Sequence, residues 1–87
     1  MTKSQKETTA SLLVNRILPR TKSASLQDQI VTAIEHLRAD SLTETDAILL
    51  CSALELLVTS TPENGSKEEW TELVELLIAA RRLLARF

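Results

Sequence analysis

The chain has 87 residues, 44% of them hydrophobic, with one Trp, one Phe, one Cys and a net charge of −2, a size that bounds it to one domain with a small core. One cysteine excludes an intrachain disulfide and suits a reducing compartment. No apolar run reaches the ~18 residues of a membrane span, and the opening MTKSQKETTA has no signal-peptide hydrophobic region, so a soluble cytoplasmic protein without membrane partners is expected.

Residues 1 to 8 are polar and aperiodic, which predicts a disordered or frayed N-terminus ahead of a single helical domain over 9 to 87. Leu13, Val14, Ile17 and Leu18 then form an apolar stripe on a short first helix, from Thr9 to Leu18. Pro19 should stop it, because the residue before a proline avoids the α region. Ser25 with Asp28 has the spacing of a helix start. Leu26, Ile30, Ala33, Ile34 and Leu37 follow at the one-sided spacing of a surface helix ending near Ala39.

Thr43 and Asp46 repeat the start signal. The helix they open runs to about Thr59 and carries AILLCSALELLV, in which Ser52 and Glu55 are the only plainly polar side chains. A helix apolar on nearly every side is expected to be buried. TPENG is a turn, with Pro62 at its second position and Asn64-Gly65 supplying residues that tolerate positive φ. Ser66 and Glu69 make a capping box for a fourth helix. Its seam, Trp70, Leu73, Leu77, Ala80, Leu84 and Phe87, alternates spacings of three and four. Leu76 and Leu83 widen that seam on one flank and Val74 on the other. These elements predict an all-α fold: a small four-helix up-and-down bundle with a short first helix and helix 3 central.

The charge is segregated. Residues 1 to 24 set five cations against Glu7, and residues 25 to 75 set eleven acids against Arg38 and Lys67. Residues 76 to 87 hold only Arg81, Arg82 and Arg86. Acids at the start of the fourth helix and arginines at its end match the signs of the helix dipole.

Candidate chemistry is sparse. His36 lies on the polar face of the second helix with Asp40 one turn on. It is the only histidine, too few to build a site of three or four ligands with the single cysteine, and a solvated surface role is expected. Cys51 sits among leucines with no base nearby and reads as a small buried hydrophobe. Glu63, Glu68, Glu69, Glu72 and Glu75 cluster around the start of the fourth helix, where capping and a solvated acidic face explain them. No catalytic, metal or cofactor set is expected, and the protein is read as a non-enzyme.

The expected function is protein–protein contact: a regulator, inhibitor or small subunit, itself a homodimer, that binds a larger protein. Leu49, Leu56, Trp70, Leu76 and Leu83 would supply the apolar contacts, and Glu68, Glu72 and Glu75 would steer a basic partner. The alternative is a nucleic-acid-associated regulator using Arg16, Arg20, Lys22, Arg81, Arg82 and Arg86. The sequence pI of about 5.3 and the lack of aromatics interleaved with those cations weigh against it. So does the apolar third helix, which would be the reading helix of a helix-turn-helix and has few polar side chains to read base edges.

Overall fold

The computed structural model describes residues 1–60 and 67–87. Among these are four α-helices, α1 (Lys3–Leu12), α2 (Ala24–Arg38), α3 (Glu44–Ser60) and α4 (Lys67–Leu84), and no strand. The all-α class is therefore as expected. The turn at Pro62 and Asn64-Gly65, the carboxylate of Glu63 and the Ser66 cap lie outside the described residues.

α1 starts at Lys3, ahead of the expected Thr9, and takes up the segment expected to fray. A reciprocal cap holds its start. The Thr2 hydroxyl accepts from the Gln5 N–H at 3.1 Å, and the Gln5 side-chain oxygen accepts from the Thr2 N–H at 2.9 Å. Two free donors of the first turn are satisfied at once. Thr9 and Ala10 are fully buried, which gives this otherwise polar helix a tertiary anchor.

Pro19 does not end the coil at Leu18. The backbone widens into a π-turn over Leu13–Ile17, where the Leu18 N–H reaches back to the Leu13 carbonyl, and then tightens into a 3-10 turn over Leu18–Arg20. A proline ring inside an α-helix clashes with the carbonyl four residues back, here that of Asn15. The wide turn relieves that clash, and Leu18 keeps α-region angles of φ −57° and ψ −44°. Leu13 and Ile17 on this turn point into the core.

α2 starts at Ala24, with the Ser23 hydroxyl rather than Ser25 as its cap. It ends in a Schellman-type turn. Asp40 takes φ 60°, and the Ser41 N–H donates to the His36 carbonyl at 2.9 Å. α3 starts where expected. The Thr43 hydroxyl accepts from the Asp46 N–H at 3.2 Å, and Asp46 Oδ2 accepts from the Thr43 N–H at 3.0 Å.

The core joins Ile30, Ile34 and Leu37 of α2, Leu50, Leu54 and Leu57 of α3, and Leu73, Leu76, Leu77 and Ala80 of α4 to Leu13 and Ile17. α3 packs on both α2 and α4. The molecule measures 34 × 30 × 19 Å, so its thin dimension spans only two helix diameters of about 10 Å. In so thin a body every helix reaches the surface. The apolar helix α3 is accordingly buried on one side only, and its Ile48 and Leu56 are 49% and 54% exposed.

Candidate interaction surface

α4 determines which of the expected contact residues reach solvent. Leu73, Leu76, Leu77 and Ala80 recur at the spacing of a single buried stripe. Leu76 lies in the middle of that stripe at 2% exposure, so within one chain it is core and not a contact residue. The seam expected to run from Trp70 to Phe87 is buried only in its middle, and both aromatic ends are exposed. Trp70 is 44% exposed on the first turn and does not close the core. Leu83 and Leu84 are half-buried, and Leu83 lines a groove between the start of α1 and the second half of α4.

On α3, Leu49 is half-buried and packs against the core, while Leu56 is exposed. Glu68, Glu72 and Glu75 are exposed along α4 and border a shallow depression with Lys67 and Thr71. Leu49 and Leu56 thus lie on α3 and the three acids on α4, while Glu75 and Leu83 line one groove. Outside the expected contacts, Ile48 on α3 and Ile78 on α4 are half exposed, and so are Val31 and two residues expected in apolar stripes, Val14 and Leu26. Neither Ile48 nor Ile78 falls on the buried spacing of its helix.

The cations proposed for the nucleic-acid alternative are scattered. Arg16 is ion-paired with Glu69, tying the π-turn to the start of α4, and Arg81 lies 3.9 Å from Glu55 of α3. Arg20, Lys22, Arg82 and Arg86 are exposed. Arg20 and Lys22 follow the π-turn, whereas Arg82 and Arg86 sit at the end of α4 and line the groove beside the start of α1.

His36 does not face Asp40. Its Nδ1 lies 2.6 Å from Oδ2 of Asp46, across the α2–α3 corner. Burial alone would push the Asp46 carboxyl up. The hydrogen bonds from the Thr43 N–H, from His36 and from the Thr43 hydroxyl outweigh that and hold it below the usual carboxylate range. Asp46 is thus an anion near neutral pH and only accepts, so Nδ1 of His36 carries the proton and donates. His36 and Asp46 line a groove that also holds the hydroxyls of Ser25, Thr32 and Ser52. Among the described residues none of these hydroxyls is hydrogen-bonded to His36, and the pair acts as a cross-link between α2 and α3. Asp40, which the Lys6 ammonium lowers by hydrogen bonding and by its charge, ties α1 to the end of α2 with help from Glu7 and Arg38 at 3.6 Å.

Cys51 is half-buried on α3. Burial pushes its thiol up, Arg81 pulls it down and Glu55 pushes it up again, so the thiol stays protonated near neutral pH. Among the described residues no three His, Cys, Asp or Glu side chains converge on one point, and no helix is long and apolar enough to cross a membrane. Comparison with protein-family models, with curated proteins and with solved structures gives no match.

Proposed function

We propose that the protein is a non-enzymatic interaction module, a regulator, inhibitor or small subunit that works in the cytoplasm by binding a larger protein and a second copy of itself. The observation that carries this reading is the set of half-exposed apolar side chains Ile48, Leu56 and Trp70, left over once the core is complete. A chain this small cannot cover all its leucine-rich helix faces, and side chains of this kind are what a partner desolvates. The exposed Glu68, Glu72 and Glu75 supply a negative field that speeds encounter with a basic surface and weakens as salt rises. An up-and-down order of the helices with α3 at the centre is the scaffold this reading assumes. The ion pairs between α1 and α2, between the π-turn and α4, and between α3 and α4 support it.

Chemical cross-linking and affinity capture of the wild type beside the double variant L56S/W70S tests the assignment. A larger protein should be captured reproducibly by the wild type and lost with the variant, whose circular dichroism stays that of the wild type. Equal capture by both would remove Leu56 and Trp70 from the contact surface.

A further inference from the structure

The outer face of α4 carries charge in an order that its own chain does not use. Glu72 and Glu75 lie on its first half, Ile78 and Ala79 at its middle, and Arg82 and Arg86 at and just past its end. The last turn tightens but continues, with the Arg86 N–H bonded to the Leu83 carbonyl at 3.2 Å, so Arg86 stays close to helical register. Arg82 and Arg86 also line, with Glu75, Ile78 and Ala79, the groove beside the start of α1. Among the described residues Glu72, Glu75, Arg82 and Arg86 form no ion pair, whereas Glu69 and Arg81 of the same helix do.

The helix dipole accounts for the charges at the two ends. Its influence fades within one turn of each terminus, so it does not reach Glu72 and Glu75. Within the helix the pattern is unfavourable, because Glu68–Glu72 and Arg82–Arg86 are like-charge neighbours four residues apart. An antiparallel partner with the same sequence reverses the sign. If two α4 helices cross at Ile78–Ala79, Glu75 lies opposite Arg82 of the second copy and Glu72 opposite Arg86. The register mismatch is about 1.5 Å, which these long side chains span. The twofold axis repeats both pairs, and Ile78, 44% exposed in one chain, meets its own counterpart.

We propose that this face is a self-complementary homodimer interface, formed by antiparallel α4 helices crossing at Ile78–Ala79 and registered by Glu72 and Glu75 against Arg82 and Arg86. A foreign protein would need the same acid–apolar–base order on one helix, which a second copy supplies by symmetry. The inference deepens the second-copy part of the interaction-module reading and shares Glu72 and Glu75 with it. It does not involve Leu56 or Trp70.

The test is a charge-swap complementation read by light scattering after size exclusion, with circular dichroism confirming the fold of each variant. The wild type should have twice the 9.7 kDa chain mass at tens of micromolar, and its dissociation constant should rise at least tenfold from about 50 to 500 mM salt, since exposed pairs are screened. E72R/E75R alone and R82E/R86E alone should each be monomeric, and an equimolar mixture of the two should form a heterodimer. A wild type that is monomeric throughout overturns the proposal and the self-association in the proposed function, while leaving binding of a larger protein through Leu56 and Trp70 to its own experiment. Reversed variants that still dimerise overturn it equally, because the interface then lies elsewhere. Monomeric variants that fail to combine overturn the proposed register.

Discussion

At the α2–α3 corner, the Asp46 carboxylate is buried and accepts from the Thr43 N–H and from His36. Along the outer face of α4, Glu72, Glu75, Arg82 and Arg86 stand exposed, and among the described residues none is ion-paired. The corner uses its charge inside the chain, where desolvation makes every missing partner costly. The α4 face keeps its charge for outside, where water screens it and its loss costs the fold little. A substitution should therefore report stability at the first place and association at the second.

The largest effect is expected where α4 turns inward. L76A empties a site that is 2% exposed and should cost about 2–5 kcal/mol, read as a lower urea midpoint. The matched change L56A, on a side chain 54% exposed, should stay within about 0.5 kcal/mol. Equal losses would mean that Leu56 is covered in solution, by a second chain or otherwise.

D46A comes next. It leaves the Thr43 N–H without its acceptor and removes the α2–α3 cross-link, at about 1–2 kcal/mol. The pH dependence sharpens this. Asp46 titrates lower when folded than when unfolded, so its contribution is complete above the ordinary Asp value of about 3.9 and disappears as pH falls through the lower folded value. Between about pH 6 and pH 3 the urea midpoint of the wild type should fall further than that of D46A. Parallel falls would show that another carboxylate dominates acid unfolding.

E72R/E75R should change folding stability by no more than about 0.5 kcal/mol while changing association. A large loss of stability would mean that these acids serve the fold. The smallest effect is expected at Asp40. Its φ of 60° suits glycine, and D40G should raise Tm slightly despite losing the exposed contact with Lys6. A fall in Tm would show that the Lys6 contact outweighs the backbone relief.

Much of this is legible in the sequence. Thr43 and Asp46 announce the start of α3 because capping depends on a spacing of three along one chain. The contact between His36 and Asp46 was hidden, since it depends on how α2 and α3 cross. Thr2 and Gln5 carry the same kind of local signal, but the polarity of the surrounding residues outweighed it. Leu76 and Leu83 lie on one flank of α4, yet one is buried and the other half-buried. Heptad spacing says which residues share a face, while the packed neighbour says how far along that face the cover extends. Trp70 is exposed for that reason. AILLCSALELLV marks a largely buried helix but not which side chains stay outside, and the two-layer thickness of so short a chain leaves Ile48 and Leu56 there.

The wide turn at Leu13–Ile17 also acts as a phase adjuster. Spanning five residues where an α-turn spans four, it amounts to a one-residue insertion in a continuous coil. Deleting one residue there would restore α spacing and rotate everything before it by about 100° relative to the rest of the molecule. Thr9 and Ala10 would leave the core, and Lys6 and Glu7 would swing away from Asp40 and Arg38. The chain ahead of Pro19 is therefore counted in single residues. In any related chain, loss of the proline and loss of one residue from that turn should occur together, because each alone leaves the other without its reason.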